Sequence, residues 1–360
     1  MKNVKKILGV ILAMCFLMAF ATGCNKVEEG GSEPVDTGVQ KDKTTAILVV
    51  SFGTSYNDSR EKTIGAVENA IAKAYPQYEV RRAFTSQIII DKLKERDNLS
   101  IDNVQEALDR AVADGIKTLI VQPTHLMDGY EYNDLKEELT NYEGRFDAIK
   151  LGAPLLTSDE DFDKVIDAIT KDTESFNDGK TLVAFMGHGN PVGYDYYGGN
   201  VRYLQLESYL RALNPNYYVG TVDMAETYAA DVLNHIDGGN FNYSVGAMPV
   251  GVNYEKNTSK AAQLFVLMSI AGDHAHNDMA DDEDAESWYS LFNAKGIATN
   301  AYETNFKEAC WKKYKSGEEY IPGLAERSAV RKLWMDHTRQ AIAKLGTDDA
   351  LSTPTTAPEE

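Results

Sequence analysis

Cysteine is nearly missing from this chain. Three occur, at positions 15, 24 and 310, with no CxxC pair, which excludes a disulfide framework and a thiolate-rich metal cage. Basic residues are also scarce: 36 Lys and Arg stand against 55 Asp and Glu, for a formal net charge of -19. A surface of that sign is a poor partner for nucleic-acid phosphates, so no nucleic acid is expected. The longest apolar run, Ile7 to Phe20, is shorter than a membrane-spanning helix requires.

That run has another reading. Lys2, Lys5 and Lys6 precede it, and Ala21-Thr-Gly-Cys24 follows it; together these predict a secretory signal peptide. Cysteine after small residues resembles a bacterial lipobox, with Ala21 where that motif usually has leucine, and predicts lipidation of Cys24; plain secretion is the alternative. Residues 25–44 are polar and aperiodic, as a tether would be. The expected organisation is a signal peptide over 1–23, a lipidated tether over 24–44, an N-terminal α/β lobe over 45–175, a C-terminal α/β lobe with the metal site over 176–346, and a disordered tail over 347–360. The folded part is then extracytoplasmic, a lipoprotein anchored to a membrane by its lipid. With Cys15 removed and Cys24 acylated, only Cys310 remains, a small residue on an amphipathic helix.

The body of the chain reads as alternating strands and helices. Ala46-Ile-Leu-Val-Val50 is a continuous apolar run, as in a strand buried on both faces. Asn57 or Asp58 is placed to cap a helix through Ile64, Val67 and Ile71. Strand Glu79–Ala83 follows, then a helix capped by Ser86, a helix with Val104, Leu108 and Ala111 on one stripe, and a strand from Thr118. This order predicts a parallel sheet with right-handed crossovers. Residues from about 180 repeat the plan: Thr181–Met186 is a strand, Gly187-His188-Gly189 takes the place of Gly53-Thr54-Ser55, and Tyr217–Val222 matches Tyr78–Ala83. Two similar lobes facing one cleft are expected, with Thr54 opposing His188 and Glu131 opposing His274.

His188 in Phe185-Met-Gly-His-Gly189 and His274 in Ala271-Gly-Asp-His-Ala-His-Asn-Asp-Met279 each follow an apolar strand-like run. An α/β sheet opens its ligand crevice there. Imidazole accepts protons near neutral pH and ligates transition metals, so the pair indicates a metal-handling cleft. His276 reads as a surface or supporting residue, and His125 as a hydrogen-bonded structural histidine.

From about Thr45 to Leu345 the chain resembles the anaerobic-type sirohydrochlorin cobaltochelatases (CbiK-type) of the class II chelatases. The resemblance rests on Leu48-Val-Val-Ser-Phe-Gly-Thr-Ser-Tyr56, Arg82-Ala-Phe-Thr-Ser86, Gln122-Pro-Thr-His-Leu-Met-Asp-Gly-Tyr-Glu-Tyr132 and the two histidine segments, in that order and spacing. It implies the ferrochelatase-like fold and ATP-independent insertion of Co2+ into a tetrapyrrole, on the route to cobalamin. Fe2+ and Ni2+ stay open as alternative metals, and nothing in the residues supports haem. By position, His188 resembles the family's metal ligand and proton acceptor, and His274 its second metal histidine. Asp223, in Val219-Gly-Thr-Val-Asp223, falls where the family carries a Glu ligand, with Glu226 as the competing carboxylate. Glu131 matches an acidic residue across the cleft, suited to proton transfer.

Three departures from the family pattern, and the export signal, bear on function. After Met186-Gly-His-Gly189 the chain continues with the Tyr- and Gly-rich loop Asn190-Pro-Val-Gly-Tyr-Asp-Tyr-Tyr-Gly-Gly199, where many relatives carry further small and histidine residues. Residues 251–266 read as an insertion at the cleft mouth, a lid or an oligomer contact. Binding a polycarboxylate substrate assigns Arg81, Arg82, Arg202 and Arg211 to offset the acidic surface. The export signal also leaves a second function open, a tetrapyrrole- or metal-binding lipoprotein for uptake without turnover. The number of subunits is open, a homo-oligomer included.

Overall fold

The strand Thr45–Ser51 (β1) is buried along its whole length, because neighbouring strands pair with both edges and helices cover both faces. The computed structural model describes residues 42–191, 194–195, 198–223, 229–239, 241–245, 248–252, 254–300, 312–313 and 319–346. The signal peptide, Cys24, most of the tether, Glu226, Cys310 and the tail lie outside the described residues.

β1, β2 (Glu79–Phe84), β3 (Thr118–Pro123) and β4 (Ala148–Leu151) form a parallel sheet in the order β2-β1-β3-β4. The first crossover is a helix, α1, built from Asn57–Arg60, a π-helical turn Glu61–Gly65 and Ala66–Ala74. Its N-cap is Tyr56, without a side-chain cap bond, so Asn57 and Asp58 lie inside the first turn. Helices α2 (Gln87–Asp97) and α3 (Val104–Ala113) follow β2. Ser86 holds the N-cap position of α2 without making a cap bond, whereas Asn103 and Glu106 close a full capping box on α3. Helix α4 (Tyr130–Thr140) connects β3 to β4, and α5 (Asp159–Asp172) leads towards the second sheet.

The second sheet comprises β5 (Thr181–Gly187), β6 (Tyr217–Thr221), β9 (Ala261–Val266) and β10 (Ala298–Asn300), all parallel, in the order β10-β9-β5-β6. Matching β1 to β5, β2 to β6, β3 to β9 and β4 to β10 reproduces the order of the first sheet. The register agrees as well. Gln122 of β3 lies opposite Val49, and Gln263 of β9 lies opposite Val183. Both glutamines are fully buried, and each donates its side-chain amide to the next residue's carbonyl, Pro123 at 2.8 Å and Leu264 at 3.0 Å.

The reading of 251–266 as an insertion is corrected by this topology. Ala261–Val266 is β9, a buried inner strand, and Tyr254 is buried with its hydroxyl donating to Glu207 at 2.7 Å. The element without a counterpart in the first sheet is an antiparallel hairpin, β7 (Phe241–Val245) with β8 (Met248–Val252), between helix α7 (Ala229–Ile236) and β9. Helix α6 (Val201–Leu213) links β5 to β6, and α8 (Trp288–Ala294) precedes β10.

The last helix, α9 (Ser328–Ala343), packs back on the first sheet against α1, β3, β4 and α5. Thr338 donates to Gln122 at 3.1 Å. His337, buried, bonds the Ala153 carbonyl at 3.1 Å and the Asp161 carboxylate at 3.2 Å. Residues of both sheets, including Ile47, Ile120, Val183 and Leu264, share one hydrophobic core.

Candidate active site

The inner strands of both sheets point their carboxyl ends into one cleft of about 440 Å³. Phe52–Thr54 enters it after β1, Thr124–Met127 after β3, His188–Asn190 after β5 and Leu267–Ile270 after β9. Ligands of parallel α/β sheets bind at that edge. The walls are apolar, with Phe52, Ile88 and Ile89 from the first half and Leu267, Met268 and Ile270 from the second.

His188 is held by the turn that ends β5. Gly189 has φ +80°, a conformation that favours glycine. A side chain at Gly187 would place its Cβ 2.2 Å from the Tyr203 ring, so only glycine fits. The Tyr203 hydroxyl accepts from the Gly189 amide at 3.2 Å, and burial pushes its phenol up to about 12. His188 Nδ1 lies 2.7 Å from the Gly189 carbonyl and 3.3 Å from Asp223 Oδ2. A carbonyl can only accept, so Nδ1 carries the hydrogen and Nε2 keeps the lone pair. Asp223 is itself fixed by its amide, which donates to the His188 carbonyl at 2.9 Å.

His274 precedes a π-helical turn, Ala275–Met279. Its Nδ1 donates to Asp278 Oδ2 at 2.8 Å, leaving Nε2 as the lone-pair nitrogen here too. That bond raises His274 above the ordinary imidazole range; burial opposes it, and the charges of Asp278, Asp223 and Asp273 reinforce it. The His188 and His274 rings lie edge to face, with centroids 4.6 Å apart. Carboxylates on Nδ1 fix tautomer and orientation, as the supporting residues of metal-binding histidines do.

The segment carrying His274 is braced by the first half of the chain. Tyr56 stacks on His276 with centroids 4.1 Å apart, Lys92 pairs with Asp273 at 3.7 Å, and a Cβ at Gly272 would lie 3.5 Å from Thr54 Oγ1. Burial lowers His276 below the ordinary imidazole range.

The structure thus brings His188, Asp223 and His274 together, with Glu131 lining the same cleft. Among the described residues, no three His, Cys, Asp or Glu side chains form a ready-made metal cluster. Two imidazoles with an adjacent carboxylate suit transient handling of an ion.

The expectation for the arginines is corrected. Arg81 pairs with Asp114 at 2.7 Å, and Arg82 bonds Glu68 at 2.6 and 2.5 Å. Arg202 bonds Gln205 and lies over Phe162, while Arg211 bonds the Pro215 carbonyl and lies over Tyr218. Each is committed to a structural partner outside the cleft, and among the described residues no Lys or Arg lines it.

Sequence reasoning passed over Asp278, although its place four residues after His274 on a helical turn is a readable signal. It also passed over Tyr203, whose role depends on a contact fourteen residues away and is invisible locally.

Two such sheets sharing one slot are the fold of the chelatases. The structure of SirB from Bacillus subtilis with Fe3+ matches with a TM-score of 0.51 at 12% identity, covering 84% of this chain and 96% of that one. The chain belongs to the cobalt chelatase (CbiK) family, whose profile matches residues 45–343. It is 34% identical over 298 residues to the sirohydrochlorin cobaltochelatase of Salmonella typhimurium, covering 82% of this chain and 96% of that one. Sirohydrochlorin cobaltochelatase CbiKC of Nitratidesulfovibrio vulgaris is 27% identical over 301 residues, covering 83% and 91%. The chain is accordingly a metal chelatase, an enzyme of the lyase class.

Proposed function

We propose that this enzyme inserts Co2+ into a tetrapyrrole of the sirohydrochlorin type, as the names of its relatives suggest, and that it does so without ATP. The observation that carries this reading is the His188–His274 pair, edge to face in an apolar-walled cleft, each ring held by its Nδ1. His188 and His274 receive the ion through Nε2, with Asp223 supplying negative charge beside them. The walls hold the macrocycle by its flat faces. As the ion moves into the ring, the lone pair on His188 is released and takes a pyrrole proton. Glu131 is the proton-transfer group on the opposite side.

The proposal extends to location. The segment ending in Cys24 supports an exported lipoprotein acting at the outer face of a membrane. Radiolabelled palmitate incorporated by the full chain and lost in Cys24→Ser tests that part.

For the activity, the purified mature chain is mixed with sirohydrochlorin and Co2+, Fe2+ or Ni2+, and metal insertion is followed by absorption. Turnover that is fastest with Co2+ and lost in His188→Ala and His274→Ala is expected. A rate no higher than the spontaneous one sinks the reading.

A further inference from the structure

Insertion breaks two pyrrole N–H bonds as four ring nitrogens coordinate the ion, so two protons must leave. The His188 imidazole accounts for one. We infer that His125, paired with Glu131, is the second proton acceptor of the cleft. The inference rests on the chelatase reading above.

His125 follows β3 and Glu131 lies in the first turn of α4, so both come from the half of the chain that does not carry His188. Both line the cleft. The His125 side chain is only 8% exposed, and neither ring nitrogen has a hydrogen-bond partner. Glu131 Oε2 lies 3.4 Å from Nε2, and the Glu131 side chain is 39% exposed. A buried polar group without a partner is costly, and its retention calls for an explanation. A structural histidine would use at least one nitrogen to hold a neighbour, as His337 uses both. His125 holds none.

The chemistry explains the cost. With its hydrogen on Nδ1, His125 turns a buried Nε2 lone pair towards Glu131 with no proton between them. When a pyrrole N–H gives its proton to the Glu131 carboxylate, the proton passes on to His125 Nε2. The nitrogen of the pyrrole keeps the bonding electrons and coordinates the ion, and the result is an imidazolium next to a carboxylate. The 3.4 Å gap matches the loose geometry of catalytic pairs before substrate arrives.

The test uses the mature chain with sirohydrochlorin and Co2+, comparing wild type, His125→Gln and His125→Ala with and without added imidazole. Thermal melts check folding, and His125→Gln preserves size should His125→Ala fold poorly. Glutamine can donate to Glu131 but cannot take up a proton. The expected result is a kcat about 10²-fold lower in His125→Gln, KM for metal and tetrapyrrole within about twofold of wild type, and recovery of His125→Ala by imidazole. Wild-type kcat in His125→Gln would overturn the assignment and leave the chelatase reading standing. A folded His125→Ala that imidazole does not restore would do the same. Absence of turnover in the wild type would instead remove the chelatase reading, and the assignment with it.

Discussion

His188 and His274 meet with their ring planes at 86° and centroids 4.6 Å apart, though 86 positions separate them in the chain. On the proposed reading one ion engages both rings, and the pair acts as a unit. Groups that act together lose function non-additively. The double variant His188→Ala/His274→Ala should be no slower in kcat/KM than the worse of the single variants. A product of the two single effects would show that the rings work independently.

Asp278 holds His274 through Nδ1, so Asp278→Asn weakens the orientation and leaves the proposed ligand in place. A loss of about 10- to 100-fold in Co2+ affinity is expected, measured by calorimetry on the metal alone. Unchanged affinity would assign Asp278 to the stability of the turn.

No guanidinium or ammonium lines the cleft among the described residues, and the proposed reading has its apolar walls grip the macrocycle. Tetrapyrrole KM should change by less than about twofold between roughly 50 and 300 mM salt, a range over which screening weakens exposed ion pairs. A steep rise with salt would place basic side chains at the substrate's carboxylates.

Glu207 is fully buried, accepts from Tyr254, and has its carboxyl pushed up to about 7 by burial. A raised folded pKa means the native state keeps its proton after the unfolded chain has lost it. Stability from this group is therefore full below about pH 4.5 and falls as pH rises to about 7. The loss is on the order of 3 kcal/mol. His235, stacked on Tyr254 and lowered to about 4 by burial, works the other way, adding stability between about pH 4 and 6.5. Subtraction isolates Glu207: the stability of Glu207→Gln relative to wild type should improve from pH 4.5 to 7 and then level off in urea melts. A pH-independent difference would place an ionised carboxylate in the fold at acid pH.

Much of the scaffold was legible because β1 and β5 are buried on both faces and carry unbroken apolar runs. β9 was not, because Gln263 interrupts its run and Met248–Val252 imitates the missing strand. The buried side-chain NH2 of Gln263 donates to the Leu264 carbonyl, a contact no periodicity announces. The histidines of the cleft were legible from the strand ends they follow. The arginines were misread because a charge's availability depends on partners from other elements, such as Glu68 for Arg82. His125 looked structural for the same reason. Whether a ring nitrogen finds a partner is decided by packing that local sequence does not contain.

The return of α9 to the first sheet ties the last described helix to the first strands. Val330, Leu333 and Trp334 cover a surface that the first half cannot cover itself. Neither half is then a self-sufficient folding unit, despite their matching strand orders. Fragments divided near residue 176 should stay insoluble when made apart and recover only when made together, and heating should melt both sheets in one cooperative step.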